Sequence, residues 1–143
     1  MPGKAKPVPD GYHTVTPFLV ADDADAVIAF MQKAFKAEFD HSPLRQPDGK
    51  LRHATLRIGD ARVMISNSSE RAKALQTMLY VYVPNVDEVY AAAIKAGGTE
   101  IMVPSDMFYG DRSGGVTDPG GNQWYIGTHI EDVSDAELQK RAD

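Results

Sequence analysis

The sequence predicts an α+β fold of two tandem βαβββ modules, and three observations carry that prediction. Asp25, Val27, Ala29, Lys33, Ala34 and Glu38 recur 62 positions later as Asp87, Val89, Ala91, Lys95, Ala96 and Glu100. Six identities in fourteen paired positions, where chance supplies about one, mark an internal duplication. Each copy also joins an amphipathic helix to strand-length apolar runs on both sides. At 143 residues and 43% hydrophobic, the chain can bury one or two compact cores, so two small modules fit within one domain.

The first copy opens with a strand predicted over residues 13–21. Asp22 to Asp25 then supply helix-capping carboxylates, and Ala26, Val27, Phe30, Met31, Ala34 and Phe35 follow at helical spacing. Residues 38–44 read as one strand, and Pro47, Asp48 and Gly49 as a turn. Residues 51–58 and 61–66 alternate across Gly59 and Asp60 as a hairpin.

The second copy repeats the order. Residues 77–83 form an apolar, aromatic strand, Pro84 to Asp87 break and cap, and residues 89–96 are helical until Gly97 and Gly98. Strands follow over 99–103, 114–117 and 122–128, with Asp118, Pro119, Gly120 and Gly121 as the last turn. The expected organisation is a flexible arm (1–11), a domain over 12–130 with modules at about 12–66 and 77–130, and a tail (131–143) in which Ser134 and Glu137 open a short helix.

Composition excludes several functions. With 15 Lys and Arg against 20 Asp and Glu, the net charge is −5 and no basic run is present to neutralise nucleic-acid phosphates. The lack of cysteine removes disulfides, thiolate metal sites and Cys nucleophiles. It also fits a reducing cytoplasm, where we expect the protein, away from membranes. No G-x-x-x-x-G-K loop, G-x-S-x-G elbow or H-E-x-x-H helix is present, so nucleotide hydrolysis, serine hydrolysis and zinc proteolysis lack support.

Asp118, Pro119, Gly121 and Asn122 form a D-P-x-G-N turn before the last strand of a repeated βαβββ unit. This arrangement resembles the vicinal oxygen chelate superfamily, which includes glyoxalase I, bleomycin-resistance proteins and extradiol dioxygenases. Tyr109, Gly110, Asp111 and Arg112 ahead of the turn, with Trp124 and the tail His129, Ile130, Glu131 and Asp132 after it, look most like the PhnB-like (glyoxalase-like) branch. The resemblance covers about residues 12–130 and implies two half-barrels of curved mixed sheet that form a cup. It also implies a homodimer, because the resembling proteins usually pair across a two-fold axis.

In metal-dependent members the ligands come from the first and fourth strands of each module. Carried onto this sequence, those positions are Thr16, Met64, Met78 and Tyr125. A hydroxyl, two thioethers and a phenol do not suit a divalent cation, which takes carboxylate, carbonyl or imidazole donors, so no metal or other cofactor is expected. Strand alternation places Thr16, Phe18, His53, Thr55, Arg57, Met64, Met78, Tyr80, Tyr82 and Tyr125 on the cup side, and Val63, Ile65, Trp124 and Ile126 on the helix side.

That cup wall is aromatic and thioether-rich, as a small-molecule site requires, although side chains that merely fill a barrel give the same pattern. His53 can orient a ligand carbonyl or move a proton near neutral pH. Arg112 can clamp a carboxylate or phosphate at the rim, or pair with Asp111 or Asp118 to fix its loop. Residues 105–115, with Phe108 and Tyr109 among glycines and charges, read as a lid or a dimer surface.

The expected ligand-binding residues are therefore Thr16, Phe18, His53, Thr55, Met64, Met78, Tyr80, Tyr82, Arg112 and Tyr125, with no catalytic residue assigned. The leading reading is a metal-free cup that binds a small apolar or aromatic molecule. The alternatives are a metal-dependent lyase, isomerase or dioxygenase, in which His53 and Glu38 or Glu100 would have to converge on the ion, and an accessory protein with a filled cup.

Overall fold

A computed structural model describes residues 3–143; the first two residues of the expected arm lie outside the described part. The first module runs β1 (Phe18–Ala21), α1 (Ala24–Phe35), β2 (Glu38–Phe39), β3 (Leu44–Arg45), β4 (Leu51–Ile58) and β5 (Ala61–Asn67). The second runs β6 (Met78–Tyr82), α2 (Val86–Lys95), β7 (Thr99–Asp106), β8 (Asp111–Thr117) and β9 (Gln123–His129), and α3 (Asp135–Ala142) closes the chain. Each module makes its own mixed sheet, in the orders β1-β5-β4-β2, with β3 also on β4, and β6-β9-β8-β7. In each, the first strand lies parallel to the last and the other pairs are antiparallel.

Helix starts follow the capping chemistry. Asp23 accepts from Ala26 N, Asn85 from Glu88 N and Ser134 from Glu137 N. The apolar stripe of α1 (Val27, Phe30, Met31, Ala34, Phe35) is buried against Leu19, Leu56, Val63 and Ile65 of the first sheet. The same core continues into the second sheet through Val116, Trp124 and Ile126. The join is aromatic: the Trp124 ring lies 4.9 Å from Phe35 and 6.4 Å from Phe30, centroid to centroid.

The D-P-x-G-N turn positions that tryptophan. Asp118 is buried and accepts from Gly120 N (2.7 Å), Asn122 N (3.0 Å), Asn122 Nδ2 (3.0 Å) and Trp124 Nε1 (2.8 Å). Gly121 adopts φ +89°, a left-handed conformation that glycine takes without strain. A Cβ on Gly120 would stand 2.7 Å from Val27 of α1, so the turn packs directly on the helix of the other module.

Several expected boundaries differ. The first strand begins at Phe18, and residues 13–17 precede it unpaired except for the Pro17 carbonyl, which accepts from Met64 N. The expected strand over 38–44 is split into β2 and β3, because Pro43 supplies no N–H for a ladder. The expected lid over 105–115 is mostly ladder: Ser105 pairs with Ser113 and Asp106 with Arg112, around a tight turn closed by Gly110 at φ +101°. The tail anchors this turn, since the Gly110 carbonyl accepts from Ile130 N and Glu131 N, and Arg141 of α3 donates to the Phe108 carbonyl.

Replacing Asp118 with Ala leaves the indole N–H, two backbone N–H groups and the Asn122 amide without their acceptor. We expect a loss of about 3 kcal/mol of unfolding free energy in urea melts, with Asp118→Asn losing less because it keeps one carbonyl acceptor. A loss under about 1 kcal/mol in the alanine variant would show that the turn does not anchor Trp124.

Candidate functional site

The strand registers decide which residues share a face. Phe18 pairs with Met64 and Thr55 with Met64 on the first sheet; Met78 pairs with Gln123 and Tyr80 with Tyr125 on the second. Because Leu19, Leu56, Val63 and Ile65 are buried toward α1, and Trp124 and Ile126 toward the helices, the alternate residues face the concave side. Phe18, His53, Thr55 and Met64 gather on one sheet, and Met78, Tyr80, Tyr82 and Tyr125 on the other. Thr16 lies short of β1 and outside any ladder.

Among the described residues, no hydrogen bond or ring contact links the two groups. Leu75, in the segment that leads to β6, donates its N–H to the Val20 carbonyl of β1 at 3.0 Å, and β1 and β6 are edges of separate sheets. Four of the concave side chains are open to solvent, with Phe18 47%, Met78 65%, Tyr80 41% and Tyr82 64% exposed. A cavity of about 660 Å³ lies between the end of α1, the β4–β5 hairpin, β6 and α2, over Phe35, Val63, Val81 and Trp124, and Tyr80 and Tyr82 also line it.

In the first group the His53 ring stands 5.6 Å from Phe18 and stacks on His41 at 6.1 Å. Its Nε2 lies 3.1 Å from Thr55 Oγ1, and Thr55 is buried. Burial, then the neighbouring His41, lower the His53 pKa below the usual histidine value, so the ring is neutral at pH 7. Neither carboxylate that could join it converges there: Glu38 pairs with Arg57, and Glu100 accepts from Tyr90 beneath the second sheet.

The second group is built around a residue absent from the expected site. Asp111, 2% exposed, accepts at Oδ2 from both Tyr80 and Tyr82 hydroxyls at 2.8 Å, and at Oδ1 contacts His129 Nδ1 at 2.8 Å. The other nitrogen of His129 meets Asp132 at 2.7 Å. Burial disfavours the Asp111 charge, but the bonds from His129, Tyr82 and Tyr80 outweigh it and hold the pKa below the ordinary aspartate value. Burial raises the Tyr80 pKa; for Tyr82 the bond to Asp111 leads and burial follows, so both phenols stay protonated donors.

Glycines make this arrangement possible. A Cβ on Gly127 would collide with the Tyr80 ring, and one on Gly115 would stand 3.0 Å from the Tyr125 ring. Both tyrosines therefore lie low over bare backbone. Ser113 Oγ is buried on the same face without a hydrogen-bond partner among the described residues. Arg112 points to the opposite face, where its guanidinium binds Asp87 through Nε and Nη2 at 3.0 Å and Asp106 through Nη1 at 3.1 Å. The clamp is thus spent on α2 and β7, neither on Asp111 nor on Asp118.

Comparison with known proteins agrees with this architecture. The family model described as Glyoxalase/Bleomycin resistance protein/Dioxygenase superfamily matches residues 12–126. The chain belongs to this superfamily. An uncharacterized protein of Mycobacterium bovis is 35% identical over 137 residues, covering 87% of this chain and 89% of its own. Among solved structures, TioX from Micromonospora sp. ML1 is 26% identical with a TM-score of 0.67, covering 82% of this chain and 99% of that one. A PhnB protein from Bacillus cereus shares the fold at 20% identity and TM-score 0.66, over 81% and 99% of the two chains.

Measured against the superfamily's metal positions, the donor set does not fit an ion. Met64 is beside Phe18, Met78 is exposed, Tyr125 lies over Gly115 and Thr16 is outside the strand. Thioether and protonated phenol are poor partners for hard or borderline divalent cations. Among the described residues, no group of three or more His, Asp or Glu is arranged as a metal site.

Asp111, then Asp132, raise the His129 pKa above 6.5 through hydrogen bonds to the charged ring. A group whose pKa rises on folding stabilises the fold below its unfolded value, about 6.5, and that contribution is lost as pH rises through the folded value. The stability difference between the wild type and His129→Asn is therefore expected to shrink from pH 6 to pH 9. Paired denaturant melts measure it, and a difference that grows with pH would contradict the assignment.

Proposed function

We propose that the protein is a PhnB-like member of the superfamily that binds a small apolar or aromatic molecule on its concave surface without a metal. Residues 12–66 and 77–130 act as the two modules, and a homodimer brings complementary half-sites together into the cup. The carrying observation is the pair Tyr80 and Tyr82: large rings left 41% and 64% exposed, yet fixed by hydroxyl bonds to a buried carboxylate. Rings ordered before binding lose little conformational entropy on contact, which favours stacking. Met78, exposed beside them, adds a polarisable contact that adapts to ligand shape.

The separation of the two concave groups in one chain supports the dimeric part of the reading. Phe18, His53 and Met64 present an apolar and imidazole surface that a single chain leaves unopposed. A second copy supplies the missing wall.

Thermal-shift and calorimetric screens with aromatic metabolites, antibiotics and divalent metals test this. Aromatic compounds should raise the melting temperature, with a gain of about 2.7 kcal/mol at a hundredfold excess over Kd. Tyr80→Ala and Tyr125→Ala should weaken that binding about tenfold or more. Stoichiometric stabilisation by a divalent metal alone, or no response to any aromatic compound, would overturn the reading, and light scattering that finds only monomer would overturn its dimeric part.

A further inference from the structure

Tyr80 and Tyr82 direct both hydroxyls at one anionic oxygen, Asp111 Oδ2, at 2.8 Å each. A phenol that donates to a carboxylate gains electron density in its ring, which deepens the negative potential over the ring face. Both rings are partly exposed, and their centroids stand 5.1 Å apart with the planes 51° from one another, so a flat ligand stacks on one ring and meets the edge of the other. The carboxylate behind them is almost fully buried, so water screens it weakly.

Lys33 and Lys36 stand with Asp60 and Glu88 in the cavity that Tyr80 and Tyr82 also line, and those four charges cancel, so the charges on the sheet face set the sign. The concave-facing residues of β6, β8 and β9 include no Lys or Arg, and Arg112 is turned to the opposite face by Asp87 and Asp106. Among the described residues of these three strands, His129 is the titratable cation on this face, and it sits between Asp111 and Asp132. That trio carries net negative charge whether the imidazole is protonated or neutral. The whole chain adds a net charge of −5.

We propose that the concave face of the second sheet selects planar organic cations, meaning protonated or N-alkylated fused aromatic heterocycles, over neutral and anionic molecules of the same shape. The inference rests on the reading of this face as an aromatic-binding surface and adds charge selectivity to it. Stacking supplies the contact area, the phenol rings supply a cation–π attraction, and Asp111 with Asp132 supplies the longer-range field.

The test compares three three-ring probes on the full chain by fluorescence anisotropy: proflavine (cation), acridone (neutral) and anthracene-9-carboxylate (anion). Proflavine should bind about tenfold more tightly than acridone, and the carboxylate more weakly than either. Asp111→Asn should bring the proflavine-to-acridone ratio toward one. Raising salt on the wild type should weaken proflavine more than acridone, a measurement that needs no variant to fold. Equal binding of proflavine and acridone, or tighter binding of the carboxylate, would overturn charge selectivity and leave the aromatic-binding reading standing. Failure of all three to bind would overturn both for this face.

Discussion

The indole of Trp124 is held from two directions, and the rest of the architecture depends on that grip. Its N–H donates to Asp118 within the second module, while its ring packs on Phe30 and Phe35 of the first. Removing a fully buried aromatic of this size costs about 3–5 kcal/mol, a large share of the stability of a domain this small. Among the described residues no strand of one sheet pairs with a strand of the other, and Val20 bridges to Leu75 of the linking segment, so the side-chain core through Trp124 fixes their relative position. The concave faces inherit that position, because every residue on them alternates with one that packs toward the helices.

Much of this was legible in the chain. The repeat at Asp25 and Asp87 announced two modules, and periodicity in α1 named the buried Val27, Phe30, Met31, Ala34 and Phe35, while Ala26 is only half-buried and Ala24 and Ile28 complete the stripe. The D-P-x-G-N turn carried the clearest local signal, since Asp118 and Asn122 bond one another and Gly121 takes a conformation that most residues resist. What stayed hidden were contacts between residues distant in sequence. Asp111 and His129 stand at the ends of adjacent strands, and only the β8–β9 register, pairing Asp111 with His129, brings them together. Alternation assigned Tyr80 and Tyr82 a face but could not show that their hydroxyls reach 31 and 29 residues ahead, respectively, to one carboxylate.

At residues 105–115 glycines and charges suggested a lid or a dimer surface, and the structure makes most of them the β7–β8 ladder. Gly114 and Gly115 are there for close approach instead: a Cβ on Gly114 would stand 3.1 Å from the Met102 carbonyl, and one on Gly115 would press on Tyr125. Arg112 pairs with Asp87 and Asp106 in place of the expected Asp111 or Asp118. One step along a strand reverses the face, so the guanidinium next to Asp111 in sequence serves α2 while Asp111 serves the concave surface.

The duplication also explains how one scaffold came to carry two unlike surfaces. By strand pairing, Phe18 and Met64 in the first copy correspond to Tyr80 and Tyr125 in the second, and Thr55 corresponds to Gly115. The same offset matches Ser66 to Gly127. In the first copy the side chains of Thr55 and Ser66 occupy the floor, and Thr55 holds His53. In the second copy those positions have lost their side chains, which opens the room that the Tyr125 and Tyr80 rings now take. Enlarging the aromatic groups and emptying the floor beneath them are therefore coupled changes. Tyr80 could not lie flat over an alanine at position 127, and a tyrosine standing upright would not reach Asp111. Where metal-binding relatives need donors that converge on a point, this face has two tilted rings side by side with their polar ends drawn to one carboxylate. That geometry suits contact with a flat molecule rather than coordination of an ion.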